Sequence, residues 1–288
     1  MHKLSKLFSK IFFVRFATIF LSVFLVMLLL FFGFVKNSKE WFLIYFYECR
    51  NLVLKKENTS EIGWITDIHA DRFKRRSVDS GTIYPRKYDE YLIKVFNSLR
   101  KKGINVVIAS GDNTNSGDIN YAIKVRLLAA KENMKVIWVR GNHDSNETMN
   151  VLGVKNEKYY FNDYDDVRII VLDNADNSSS GNYLGSVDDK QLKWLNEALK
   201  TPKKVIVTMH IPLFFKDEFV EKYSNLEEMM KKSGNVKIVL SGHYHVPFQK
   251  QYDGIDYYTE GALTYSGAEG AYGIINTREM KVEYLFAK

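Results

Sequence analysis

The chain has 288 residues, 46% hydrophobic and 26% charged, which suits a globular domain with a sizeable core plus one extra segment. Its single cysteine, Cys49, excludes an intrachain disulfide and leaves the redox compartment open. The net charge of +7 suggests a nucleic-acid or phosphate binder until it is located.

Residues 1–56 hold nine basic side chains (Lys3, Lys6, Lys10, Arg15, Lys36, Lys39, Arg50, Lys55 and Lys56) against Glu40 and Glu48. Residues 57–288 carry 32 basic and 32 acidic residues and are therefore neutral. The basic excess lies beside an apolar segment, where a membrane surface is the natural partner. The neutral remainder gives no strong case for nucleic acid.

In chain order, residues 11–35 are almost uninterrupted Phe, Leu, Ile and Val, with Arg15 the only charge. About 20 apolar residues follow Phe16, roughly 30 Å as a helix and enough to cross a bilayer core. The run is longer than a secretory h-region and ends without an Ala-x-Ala site, so the expectation is a retained transmembrane helix over about 13–35. Basic residues before the run place the N-terminus in the cytoplasm and the following domain outside it. The aromatic stretch 41–47 reads as an interfacial segment, or as a helix packed on the domain. The expected division is an anchor and juxtamembrane segment over 1–56 and one domain over 57–288.

From Glu61 strands and helices alternate. Strands are expected at 61–66, 106–109, 136–139, 167–172, 205–209 and 236–240, with helices at 88–102, 119–131, 188–200 and 217–233. Asp188 is the expected N-cap of its helix. Four short strands close the chain at 248–252, 255–258, 272–275 and 282–286, the first two joined by the Asp253-Gly254 hairpin turn. Residues 173–182 form a polar Asn/Ser/Gly loop.

Five polar clusters follow directly on apolar strands: Asp67/His69, Asp112, Asn142/His143 (with Asp144 adjoining), His210, and His243/His245. Gly141 reads as the residue that lets the chain turn after its strand. In α/β sheets, ligands bind outside the carboxyl ends of the strands, so side-by-side strands would bring all five clusters to one rim. Five of the six histidines belong to this set. Buried imidazoles and carboxylates crowded together are costly without a compensating cation. Oxygen and imidazole donors without thiolate suit Zn, Mn or Fe. The donors are too many for one tetrahedral ion and match two ions clamping a phosphoryl group.

With Asp67-Ile-His69, Gly111-Asp112, Gly141-Asn-His-Asp144, His210 and Gly242-His-Tyr-His245 in this order, the sequence resembles the calcineurin-like metallophosphoesterase family. The resemblance implies an α/β fold, a two-sheet β-sandwich flanked by helices in four αββα layers. It implies that Asp67, His69 and His245 hold one divalent metal ion, that Asn142, His210 and His243 hold another, and that Asp112 bridges them. His143 would be the general acid or an electrostatic stabiliser. The substrate would be a phosphomonoester or phosphodiester, attacked by water that two dications activate.

The sequence departs from the family's protein phosphatases where Asn115 and Ser116 replace an Asp and an Arg, so a Ser/Thr protein phosphatase is disfavoured. Asn113 offers either a phosphate contact or a turn residue. Arg72, Lys74, Arg75 and Arg76 follow the first motif and either rim the site or form a solvated loop. Two alternatives are a non-catalytic metal-holding module on an anchor and a nuclease of the same superfamily. The complete donor set disfavours the first, and the neutral domain the second.

Overall fold

Strands whose alternate residues point to opposite faces build both sheets of this protein. The structure is a computed structural model and describes residues 37–54, 59–78, 81–154, 158–175, 185–215, 218–219, 223–267 and 269–287. The apolar run at 11–35, with the transmembrane helix expected over about 13–35, and most of the polar loop at 173–182 lie outside the described residues. Among the described residues, no helix is long and apolar enough to cross a membrane.

The elements in order are α1 (Ser38–Leu54), β1 (Glu61–Ile65), β2 (Arg76–Val78), β3 (Gly81–Ile83), α2 (Tyr88–Lys101), β4 (Val106–Ala109), α3 (Ile119–Lys131), β5 (Lys135–Trp138) and α4 (Asn146–Leu152). They continue with β6 (Tyr160–Asp163), β7 (Val167–Val171), α5 (Asp189–Ala198), β8 (Lys204–Thr208), β9 (Phe214–Phe215), β10 (Glu218–Phe219) and α6 (Ser224–Ser233). The last five are β11 (Val236–Ser241), β12 (Phe248–Tyr252), β13 (Ile255–Thr259), β14 (Ala271–Asn276) and β15 (Lys281–Phe286).

A five-stranded sheet runs β15-β14-β1-β4-β5 and a six-stranded sheet runs β12-β13-β11-β8-β7-β6. Both are mixed: β1-β4-β5 and β13-β11-β8-β7 are parallel, while β14, β15, β12 and β6 pair antiparallel. The period of two divides the side chains between layers. Ile62, Trp64, Val106 and Ile108 of one sheet pack against Ile169, Val171, Ile206, Ile238 and Leu240 of the other. On the far side of the first sheet, Ile65, Val107 and Ala109 meet Leu92, Val95, Phe96 and Leu99 of α2, with Ala122 and Val125 of α3. On the far side of the second, Ile170, Val205, Val207 and Val239 meet Leu195 of α5 and Leu226 and Met230 of α6. Two sheets face to face with helices on both outer faces result.

Most expected elements form within a residue or two. Asp188 caps α5, its carboxylate accepting from the Gln191 amide at 2.7 Å. Asp253 and Gly254 both take positive φ, as a type I′ hairpin turn demands. The helix expected over 217–233 begins only at Ser224, because the preceding chain pairs as β9 and β10. There Phe214 packs edge-on against Tyr257, centroids 4.9 Å apart, and is committed to the sheet. The aromatic stretch 41–47 belongs to the longer helix α1, which lies on α3. The short α4, β6 and the β2–β3 hairpin are too brief to show a period in the sequence.

Candidate metal centre

Parallel pairing decides where the donors meet. Ile65 of β1 lies opposite Ala109 of β4, which lies opposite Trp138 of β5. The chain therefore leaves all three strands at one edge, carrying Asp67/His69, Asp112 and Asn142/His143. Thr208 of β8 lies opposite Leu240 of β11, so His210 and His243/His245 leave the second sheet together. Ser110 joins the sheets: its hydroxyl accepts from Trp64 Nε1 at 2.7 Å and lies 3.0 Å from Thr208 Oγ1, and its carbonyl is 2.9 Å from His210 Nδ1.

Nine non-glycine residues among those described have positive φ, and five are proposed donors: Asp67, His69, Asp112, His243 and His245. Left-handed backbone at such residues costs energy and persists where the surroundings over-determine it, which is the mark of a functional site. Gly141 has ordinary φ, so it is not needed for a sharp turn. Its place is set by close approach, because a Cβ there would overlap the Asp112 backbone nitrogen and carboxylate.

The donor atoms form two groups sharing one oxygen. Asp67, His69, Asp112 and His245 offer ligand atoms that all lie within 4.8 Å of one another. His69 Nε2 is 3.1 Å from His245 Nε2, and Asp67 Oδ1 is 3.6 Å from the first and 3.3 Å from the second. In the second group Asn142 Oδ1 lies 3.0 Å from both His210 Nε2 and His243 Nδ1. Asp112 Oδ2 is 3.3 Å from His210 Nε2 and 3.6 Å from His69 Nε2, so it faces both groups. Asp67 Oδ1 is buried and has no hydrogen bond among the described residues. An orphaned carboxylate oxygen among converging imidazole nitrogens fits a divalent cation, with oxygen and nitrogen donors throughout.

Electrostatics carry the same message. Burial pushes the His69 and His243 imidazoles down to about 4 despite the nearby carboxylates. Burial also acts against His210, but Asp112 outweighs it and holds that ring up at about 9. Burial opposes ionisation of Asp67 and Asp112 too. The surrounding histidines overcome it and keep both carboxyls well below the usual range. Two carboxylates thus stay charged in the core, a setting suited to divalent cations.

Around the donors, Asp67 Oδ2 accepts from Thr66 Oγ1 (2.7 Å) and the His243 amide (2.9 Å), and Asp112 Oδ1 accepts from the His143 amide (2.8 Å). These bonds fix each carboxylate so that its other oxygen faces the donors. His143 Nδ1 is 2.8 Å from the Asn115 carbonyl, and its Nε2 is 4.0 Å from Asp112 Oδ2.

Three residues have roles that sequence reasoning left open or missed. Asp144 turns away from the donors: its carboxylate accepts from the amides of Asn113, Thr114 and Gly141 and from the Asn113 and Thr114 side chains. Asn113 is buried in that joint and also donates to the Val139 carbonyl, which makes it a structural residue. Arg76 separates from its basic neighbours. Its Nη1 donates to Asn115 Oδ1 at 2.6 Å and lies 3.2 Å from His143 Nδ1. No local pattern marks Arg76, because the hairpin that delivers it is only three residues on each side.

The calcineurin-like phosphoesterase profile matches residues 61–247, a stretch that contains every donor. This chain belongs to the calcineurin-like phosphoesterase family. The chain is 30% identical over 168 residues to a probable cyclic nucleotide phosphodiesterase of Rhodococcus erythropolis, covering 52% of this chain and 54% of that one. It therefore spans about half the length of that relative. It is 29% identical over 213 residues to another probable cyclic nucleotide phosphodiesterase, from Fibrobacter succinogenes, covering 69% of this chain and 77% of the relative. In fold it resembles a dimetal phosphatase from Danio rerio, with a TM-score of 0.63 at 14% identity over 79% of this chain and 99% of the other.

Proposed function

We propose that this phosphoesterase is a membrane-anchored hydrolase of phosphodiesters that works with two divalent metal ions, Mn, Fe or Zn. The observation that carries the reading is the convergence of seven donor side chains from five strand ends, with Asp112 Oδ2 facing both groups. Asp67, His69 and His245 would hold one ion, Asn142, His210 and His243 the other, and Asp112 both. When bound, the ions supply an activated water and neutralise charge on the phosphoryl oxygens.

The remaining chemistry belongs to the chain. The Asn115 carbonyl accepts a hydrogen bond from Nδ1–H of His143, so Nε2 is the atom that faces the donors. As water adds to phosphorus and the bond to the leaving oxygen breaks, Nε2–H of His143 in its imidazolium form gives that oxygen its proton and leaves the neutral ring with Nδ1–H, a contribution of about 10²–10⁴-fold. The Arg76 guanidinium beside it offers a fork for a non-bridging phosphoryl oxygen. The relatives' names make a cyclic nucleotide the first diester to test.

The anchor is the apolar run at 11–35, with the N-terminus cytoplasmic and the catalytic domain outside. The full chain, purified and loaded with Mn, should hydrolyse bis(p-nitrophenyl) phosphate and cyclic nucleotides. Absence of turnover across Mn, Fe and Zn would refute the reading.

A further inference from the structure

The course of α1 relates the anchor to the active site. At its start Asn37 Nδ2 donates to Asn120 Oδ1 (3.0 Å) in the first turn of α3. At its end Asn51 Nδ2 donates to the Ala130 carbonyl (2.8 Å) and Arg50 Nη2 to that of Lys131 (3.1 Å). Helices α1 and α3 are therefore parallel. Helix α3 follows the loop that carries Asp112 beyond β4, so its first turn lies at the strand end that carries the donors. Asn37 lies there too, directly after the apolar run.

A second observation lies on the same end. Arg72, Phe73, Lys74 and Arg75 follow the first motif and are all exposed, Phe73 at 49%. The Phe73 carbonyl accepts from the Arg86 amide at 2.9 Å, which brings exposed Arg86 and Lys87 alongside. Tyr88, which follows Lys87, packs edge-on against Tyr121 of α3, ring centroids 5.9 Å apart. Tyr121 adjoins Asn120, so the basic cluster borders the point where the chain arrives from the apolar run. Ile119 in the same turn is 41% exposed. Of the nearby acids, Asp71 accepts from Asn115 and Ser116, Asp118 caps α3, Glu90 pairs with Lys94, and Asp89 accepts from the Glu90 amide. Five cations around exposed Phe73 and Ile119 have the chemistry of a surface that settles into anionic headgroups.

We propose that this strand-end rim docks on an anionic bilayer, so that the metal centre opens onto lipid headgroups and favours phosphate esters carried by lipids. The inference rests on the membrane-anchored reading above. It follows from where α1 begins: a span ending just before Asn37 holds this end of the molecule nearest the membrane. Each Lys or Arg held near an anionic surface strengthens the contact several-fold, and the effect fades beyond a Debye length.

The test uses the full chain with Cys49→Ser in phosphatidylcholine nanodiscs, with or without phosphatidylglycerol. Nitroxide labels are placed at Phe73→Cys, at Ile119→Cys and, at the opposite end, at Glu279→Cys. Labels at 73 and 119 should be relaxed by oxygen from the lipid phase in anionic discs, and the label at 279 by an aqueous nickel chelate. The Arg72→Gln/Lys74→Gln/Arg75→Gln variant should reduce docking roughly 100-fold. It should lower turnover of a lipid-borne nitrophenyl phosphodiester while leaving that of soluble bis(p-nitrophenyl) phosphate unchanged. Labels at 73 and 119 that stay in water while the chain remains in the disc would overturn the docking proposal and leave the hydrolase reading intact. Failure of the chain to stay with the disc would overturn the anchor and the docking together. Lipid-contacting labels without turnover of either ester would support the surface and count against the hydrolase.

Discussion

The Nε2 atoms of His69 and His245 lie 3.1 Å apart in the core, with Asp67 Oδ1 close to both. Two imidazole nitrogens so near one another need a proton or a cation between them. Burial disfavours protonation of His69. Divalent metal should therefore stabilise the fold, by about 2.7 kcal/mol at 100 times its dissociation constant. Chelation should lower the unfolding temperature, Mn should restore it, and Asp67→Asn should lose metal by elemental analysis. A melting curve indifferent to chelator would rule out this arrangement.

His143 donates no ligand atom in the proposed arrangement, so its removal should separate chemistry from metal binding. His143→Gln should lower kcat by about 10²–10⁴-fold while metal content stays that of the wild type. Unchanged kcat would remove His143 from proton transfer.

Arg76 touches both Asn115 and His143. Arg76→Ala should lower kcat/KM by roughly 10–100-fold, and Arg76→Lys should recover only part, because a point charge replaces a planar fork. Steady-state kinetics at saturating metal provide the check. A lysine variant with full activity would show that charge alone suffices.

Asp144 ties the second and third motifs together through three backbone amides. An amide in its place turns an N–H₂ toward at least one of those donors. Asp144→Asn should destabilise the fold by at least about 2 kcal/mol in urea unfolding. Stability within error of wild type would mean that the loops hold without this joint.

Glu260 is buried, with Oε2 lacking a hydrogen bond among the described residues, and burial raises its carboxyl to about 8. Below about 4.5 the group is protonated in both folded and unfolded chains, and its stability contribution is fully present. Above that only the unfolded chain ionises, so stability falls as pH rises through about 8, by about 1.4 kcal/mol per pH unit at the steepest. Glu260→Gln should flatten the dependence between pH 5 and 8, as urea midpoints would record. Equal slopes in the two proteins would place the pH dependence elsewhere.

The sequence by itself marked the candidate donors and determined the elements that carry them. Short apolar runs ending in Asp, Asn or His are local patterns, and the helix over Ile119–Lys131 and the strand over Val106–Ala109 form as expected. What it did not show depends on contacts between segments far apart in the chain. Arg76 reaches His143 across 67 residues, and Asp144 binds the second motif rather than joining the donors. Helix α1 lies parallel to α3 because Asn37 and Asn51 find partners at its two ends. Hydrophobic periodicity fixes which face of an element is buried, and it carries no information about which distant polar side chain a given one will meet. Only the register of the two sheets, set by long-range pairing, decided that five strand ends would share one rim.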